Sequence, residues 1–222
     1  YITHAGGALD SNSLLQLYRF CKQNNLEFIS MYGASEATSR MSYLPFIDMK
    51  KKIGSIGKGL QNSFVIKDQS NKKIIEPFKK GELIYDGDNV CLGYANNWKD
   101  LALGDKNLSI LKTGDEGFFD NEGFFYISGR KSRYIKLYGH RISLDEIEKS
   151  LNKKYSNCYV KFIGEMIIFF INKNFNKDEL INFIFKRFNI RKNLIDFRKI
   201  KKIPYTLNKK IDYNKLNVNK IR

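Results

Sequence analysis

Histidine and cysteine are scarce in this chain. His4 and His140 are its 2 histidines, too few for a histidine-based metal centre. The 3 cysteines, Cys21, Cys91 and Cys158, are odd in number and far apart. That excludes a disulfide framework and any cysteine–zinc spacing, and it points to a reducing compartment, the cytoplasm. Long apolar runs are missing too. The densest, Met166-Ile167-Ile168-Phe169-Phe170-Ile171, is far too short to cross a membrane and reads as a buried strand.

Acidic residues are also under-represented. Against 39 Lys and Arg stand 23 Asp and Glu, a formal net charge of +16 over 222 residues. Such a surface attracts nucleic acid, acidic membranes and polyphosphates. The basic residues are dispersed, however, with short runs at Lys50-Lys51-Lys52 and Lys201-Lys202. They accompany a general richness in Lys, Asn, Ile and Phe, as an AT-rich coding bias produces. The aromatic signature of the common single-strand binders is absent, so nucleic acid is not an expected partner.

What is present is a globular composition: 42% apolar and 14% aromatic residues, enough for one large or two smaller domains. Ser11 to Lys22 places Leu14, Leu17, Tyr18 and Cys21 at helical spacing, with Asp10 or Ser11 as cap. Leu26 to Met31 reads as a buried strand. It runs into the small-residue turn Tyr32-Gly33-Ala34-Ser35-Glu36, at the strand's carboxyl end, where ligands bind in open α/β sheets. From residue 53 to about 128, glycines punctuate short apolar stretches. Ser63–Lys67, Glu82–Tyr85, Asn89–Tyr94 and Phe124–Ser128 are predicted strands, and Asp120-Asn121-Glu122-Gly123 is a hairpin turn. This part reads as a compact antiparallel barrel or sandwich. Beyond Arg133 the pattern is mixed. Ser143 with Glu146 forms a capping box ahead of Leu144, Ile147 and Leu151. Strands Cys158–Ile163 and Met166–Asn172 flank the turn Gly164-Glu165, and a second helix starting near Asn176 buries Leu180, Phe183 and Ile184. The simplest division of the chain falls near Gly129-Arg130-Lys131-Ser132.

The order and spacing of short motifs carry more than any one of them. Ala5-Gly6-Gly7-Ala8-Leu9 is followed by Tyr32-Gly33-Ala34-Ser35-Glu36 and Gly54-Ser55-Ile56-Gly57. Then come Gly81-Glu82-Leu83, Gly93-Tyr94, Thr113-Gly114-Asp115 and Gly129-Arg130. Ile135-Lys136, Gly139-His140-Arg141-Ile142, Glu146-Ile147-Glu148 and Pro204-Tyr205-Thr206 ahead of Lys210 close the series. Together they resemble the superfamily of acyl-CoA synthetases, peptide-synthetase adenylation domains and luciferases, over nearly the whole chain. That resemblance implies an α/β and α+β multidomain protein. Residues 1–131 would be the end of a large domain, with an α/β segment at 1–52 and a β-barrel-like subdomain at 53–131. Residues 132–222 would be a small mobile α+β domain.

The implied activity is an AMP-forming ligase. ATP activates a small carboxylic acid as an acyl-adenylate, and the acyl group passes to a thiol, that of coenzyme A or of phosphopantetheine on an acyl carrier protein. By resemblance Glu36 is the Mg²⁺ ligand, and a hard cation suits its carboxylate. Ser35 stands where the family usually has Thr and offers its hydroxyl to a phosphate oxygen. Tyr32 stacks on adenine beside Gly33, and Gly6, Gly7 and Ala8 permit close backbone approach. Asp115 accepts both ribose hydroxyls and Arg130 assists there. Lys210 reaches the α-phosphate and the carboxylate during adenylation, although Lys209 stands where the family usually has Gly. Lys136 and Gly139 serve the second half-reaction after a rotation of the small domain, with Ser132 at the hinge, and Arg141 forms a salt bridge that holds one orientation. Glu146 and Glu148 read as helix-start charges. The family's phosphate-binding loop has no match here. It is expected upstream of Tyr1, which makes the chain a fragment, inactive alone. A degenerate, non-catalytic nucleotide- or partner-binding member of the same fold is the alternative.

Overall fold

The computed structural model of the chain describes residues 1–155, 157–171, 175–200, 202–207 and 211–216. It divides into two compact units, Tyr1–Lys131 and Ser132–Arg222. Among the described residues no helix is long and apolar enough to cross a membrane.

The first unit contains β1 (Ile2–His4), α1 (Ser11–Gln23), β2 (Phe28–Tyr32), β3 (Ser42–Leu44), α2 (Phe46–Met49), β4 (Ser55–Gly59), β5 (Phe64–Lys67), β6 (Gly81–Asp86), β7 (Ile110–Phe119) and β8 (Phe125–Arg130). Asp10 caps α1, its carboxylate accepting from the amides of Asn12 and Ser13 at 3.0 and 3.1 Å, which satisfies two donors the helix cannot. All eight strands join one sheet in the order β1-β2-β3-β4-β8-β7-β6-β5. The stretch 53–131, expected as a compact antiparallel barrel or sandwich, shares its sheet with the first fifty residues. Only β1 and β2 pair in parallel, Ile2 opposite Phe28 and His4 opposite Ser30. The loops that leave their carboxyl ends, 5–10 and 33–41, therefore emerge at the same sheet edge.

That sheet is strongly curled. Four ladder steps separate β2 from β7, about 19 Å on a flat sheet. Yet the Tyr32 hydroxyl of β2 lies 2.5 Å from the Asp115 carboxylate of β7. Glycine makes one of the close approaches: a Cβ on Gly57 (φ +84°) would sit 1.8 Å from the Tyr43 carbonyl oxygen of the neighbouring strand. The turn from β7 to β8 is the expected hairpin, with Asp120 accepting from the amides of Glu122 and Phe124 at 3.0 Å each. The predicted strand Asn89–Tyr94 is not a strand but turn and irregular chain. Its apolar residues do not share a buried face: Val90 is buried, whereas Leu92 and Tyr94 are 62% and 72% exposed, so no partner strand has a face to cover.

The second unit contains β9 (Tyr134–Leu137), β10 (His140–Ser143), α3 (Leu144–Asn152), β11 (Cys158–Ile163), β12 (Met166–Ile171), α4 (Lys177–Phe188) and β13 (Ile195–Lys199). Ser143 caps α3 through the Glu146 amide and Asn176 caps α4. β12 lies between antiparallel β11 and parallel β13, and α4 makes the crossover that a parallel pair needs. The uninterrupted apolar run of β12 follows from its central place. Ile167, Phe169 and Ile171 pack with α3 and α4, while Ile168 and Phe170 pack on the opposite face with Ile203, Ile211, Tyr213 and Leu216. A strand buried on both faces has no polar side to alternate with.

Candidate active site

The Thr113-Gly114-Asp115 segment is a bulge. Glu82 pairs with Glu116 and Ile84 with Lys112, so three residues of β7 face the single Leu83 of β6. The Thr113 hydroxyl pins the distortion: it donates to the Leu83 carbonyl at 2.8 Å and accepts the Asp115 amide at 3.1 Å. Gly114 supplies the left-handed backbone, φ +71°, which other residues adopt only with strain. Bulges re-aim side chains, and here the product is a buried carboxylate, Asp115, 5% exposed.

Both oxygens of that carboxylate are engaged. Oδ1 lies 2.7 Å from Nε of Arg130, its registered neighbour on β8, and Oδ2 accepts the Tyr32 hydroxyl at 2.5 Å. Burial, then the Asp115 charge, push the Tyr32 phenol well above its ordinary range, so it stays a protonated donor. The Tyr32 ring meets Phe64 edge-on, 5.9 Å between centroids.

The turn after Tyr32 is tight. A Cβ on Gly33 would sit 2.2 Å from the Thr38 carbonyl oxygen, and the Ala34 amide donates to that oxygen at 3.0 Å. Ser35 is exposed and Glu36 half-buried. The Glu36 carbonyl accepts the Cys91 amide at 2.7 Å, and its carboxylate accepts the Tyr94 hydroxyl at 2.8 Å. Sequence reasoning left Tyr94 and Thr113 without a role; a tyrosine on a glycine-marked loop carries no local signal of so distant a partner. At the same sheet edge Gly6, Gly7 and Ala8 are exposed, and a Cβ on Gly6 or Gly7 would meet nothing within 4 Å. Packing does not demand glycine at position 7.

The fold therefore joins Tyr32, Asp115 and Arg130 in direct contact, and brings Gly6, Gly7, Ala8, Gly33, Ser35 and Glu36 to one edge. Lys136, Gly139 and Arg141 belong to the other unit. There Tyr138 (φ 51°) and Gly139 (φ +78°) form the two-residue turn between β9 and β10, a shape that needs positive φ at both positions. Lys136 and Arg141 are cross-strand partners. The Arg141 guanidinium lies 4.0 Å from the centroid of the Tyr134 ring. Lys210, together with Lys209, lies outside the described residues.

Among the described residues no group of three or more His, Cys, Asp and Glu could hold a metal ion. Mg²⁺ at a nucleotide site needs no such cage, since one or two carboxylates plus substrate phosphates suffice, and Glu36 fits that mode. Glu148, expected as a helix-start charge, is instead buried at 8% exposure. It accepts from the Val160 amide at 2.6 Å and the Tyr213 hydroxyl at 2.7 Å, and it pairs with Arg133. Burial raises its carboxyl pKa above the ordinary value against the pull of Arg133 and these donors.

A family described as AMP-binding enzyme matches residues 2–95, the stretch with Gly6, Tyr32, Glu36 and Tyr94. The 2-succinylbenzoate–CoA ligase of Listeria monocytogenes is 30% identical over 223 residues, covering 95% of this chain and 44% of that protein. The chain belongs to the adenylate-forming superfamily of AMP-binding enzymes. The oxalate–CoA ligase of Saccharomyces cerevisiae is 31% identical over 202 residues, 86% of this chain and 37% of its own length. Among solved structures, O-succinylbenzoate coenzyme A synthetase from Bacillus subtilis in complex with AMP superposes with a TM-score of 0.74 at 25% identity, covering 98% of this chain and 45% of that one. The same enzyme with ATP and a magnesium ion gives 0.68 at 26% identity, covering 96% and 45%. The chain spans less than half the length of each of these proteins.

Proposed function

We propose that this chain is part of an AMP-forming acid–thiol ligase, which activates a small carboxylic acid with ATP and passes the acyl group to coenzyme A or a carrier-borne phosphopantetheine. In this reading Tyr1–Lys131 is the end of the large adenylate-forming domain, with 53–131 as its β-rich subdomain. Ser132–Arg222 is the small domain, turning about Ser132.

The observation that carries the reading is the Asp115 carboxylate, buried and oriented by Arg130 and Tyr32, a group of the chemistry that accepts paired ribose hydroxyls. Two charge-assisted hydrogen bonds fix a ribose in place and orientation. The Tyr32 ring presents an apolar surface to the base. Ser35 donates to a phosphate oxygen. The open backbone at Gly6, Gly7 and Ala8 lets base and acyl group approach the main chain. Glu36 is the residue to hold Mg²⁺, which when bound offsets repulsion between phosphate oxygens. Lys210 stabilises charge at the α-phosphate and carboxylate oxygens in the first half-reaction. Lys136 and Gly139 serve the second, and Arg141 helps to hold one orientation of the small domain. The relatives named above are ligases of carboxylic acids with coenzyme A, which favours coenzyme A as acceptor. The free state of Cys21, Cys91 and Cys158 fits a reducing cytoplasm.

The test is hydroxylamine trapping with the full-length protein. Acid-, ATP- and Mg²⁺-dependent hydroxamate formation, weakened by Asp115→Asn, is expected. Nucleotide binding without any hydroxamate, across a broad panel of acids, would make the protein a non-catalytic member of the fold.

A further inference from the structure

Glu148 joins three segments of the second unit that are distant in sequence. Its Oε1 accepts the Val160 amide of β11 at 2.6 Å and pairs with the guanidinium of Arg133. Its Oε2 accepts the Tyr213 hydroxyl at 2.7 Å. Arg133 reinforces the same join. Its guanidinium lies 3.9 Å from the centroid of the Tyr213 ring, while its Nε and Nη1 reach Asp145 at 2.7 Å and the Val160 carbonyl at 2.8 Å. Both oxygens of Glu148, the three nitrogens of the Arg133 guanidinium and the Tyr213 hydroxyl are used in directional contacts.

Stability alone is a poor reason for such a cluster. A buried ion pair often does no better than apolar residues of the same volume, and its best-attested use is to fix one register among several. What this cluster fixes is the carboxyl-terminal segment. Tyr213 is clamped by Glu148 and Arg133, and Leu216 is buried against Tyr159, Ile168 and Phe170. The Asp212 amide donates to the Pro204 carbonyl at 2.9 Å, and Tyr205 and Ile211 form an antiparallel bridge. These backbone contacts tie residues 204–205 to 211–212, and Ile203, Ile211, Tyr213 and Leu216 pack with Tyr159, Ile168 and Phe170 of the sheet. Lys210 lies outside the described residues, but in the chain it immediately precedes Ile211.

We propose that Glu148, with Arg133 and Tyr213, is a positioning residue for adenylation: it fixes the register of the stem that carries Lys210 and does not itself touch substrate. This rests on the ligase reading and on Lys210 as its adenylation lysine. Glu148 and Tyr213 should then matter to the half-reaction that uses Lys210 and not to the one that uses the β9–β10 hairpin.

The experiment takes the full-length protein as wild type, Tyr213→Phe, Glu148→Gln and Lys210→Ala. Each is assayed for acid-dependent pyrophosphate release and, separately, for thiol-dependent consumption of a synthetic acyl-adenylate. Tyr213→Phe keeps the ring under Arg133 and deletes only the hydroxyl, so it leaves a testable protein should Glu148→Gln fail to fold. The expected result is a loss of about tenfold or more in kcat for pyrophosphate release in Tyr213→Phe, with KM for ATP and acyl-adenylate consumption unchanged. Equal losses in both half-reactions would reduce the cluster to a structural role and overturn the inference. So would full pyrophosphate release in Tyr213→Phe beside a crippled Lys210→Ala. Full release in Lys210→Ala would overturn the underlying assignment of that lysine, a failure distinct from the other two.

Discussion

Asp115 and Arg130 face each other as a registered pair across β7 and β8, with the guanidinium Nε 2.7 Å from the buried carboxylate. The bulge at Thr113-Gly114 aims the acid, and the strand pairing delivers its counter-charge. Neither residue is near the other in sequence.

That relationship predicts the effect of Asp115→Asn. The amide keeps the shape but loses charge-assisted acceptance, worth about 1.5–3 kcal/mol. AMP affinity of the full-length protein should fall about ten- to a hundredfold, read by calorimetry. Unchanged affinity would place the ribose elsewhere.

Glu36 is tested through the metal. Glu36→Gln should raise the Mg²⁺ concentration needed for half-maximal nucleotide binding, whereas Tyr94→Phe, which removes only the partner hydroxyl, should shift it far less. Equal shifts in both would mean that Glu36 serves the loop around Tyr94 rather than a cation.

Two glycines separate packing from ligand approach. Gly57→Ala puts a methyl 1.8 Å from the Tyr43 carbonyl at φ +84° and should destabilise the protein by at least about 2 kcal/mol. Gly7→Ala meets nothing within 4 Å and should leave the unfolding midpoint unchanged while weakening nucleotide or acid binding. A stability loss at Gly7 comparable to that at Gly57 would make the first loop structural.

Acid stability has a specific source in Asp120. Burial acts to raise its carboxyl, but the Lys52 ammonium and the Phe124 and Glu122 amides outweigh this and hold it below the ordinary 3.8. A carboxyl lowered in the folded state binds fewer protons there than when unfolded. Its stabilisation is therefore present above about pH 4 and is lost as the pH falls through the folded value. Urea midpoints measured from neutral to acid pH should drop less steeply for Asp120→Asn than for wild type. Parallel curves would contradict the assignment.

Legibility in the sequence followed locality. The cap at Asn176, the β11–β12 strands and the Asp120–Gly123 turn depend on neighbouring residues, and all three were readable. The strand expected at Asn89–Tyr94 failed because apolar identity does not reveal which residues face solvent. β7 went unassigned because Thr113-Gly114-Asp115 interrupts its alternation, and that interruption is the bulge that aims Asp115. Glu148 was read as a dipole charge, although it shares the helical face of Leu144, Ile147 and Leu151. An acid on that face was the available signal of a buried partner, but Tyr213 and Arg133 could be named only from the fold. Tyr32, Asp115 and Arg130 were singled out through the family resemblance; Arg130 meets Asp115 through the β7–β8 pairing, whereas the Tyr32–Asp115 contact depends on the curl of the sheet, which no local pattern encodes.

The most direct test of the account is acid-dependent pyrophosphate release by the full-length protein, with Lys210→Ala beside it. The account predicts release with one class of carboxylic acid and a fall of about a hundredfold or more in the variant; no release with any acid, or release untouched by Lys210→Ala, would contradict it.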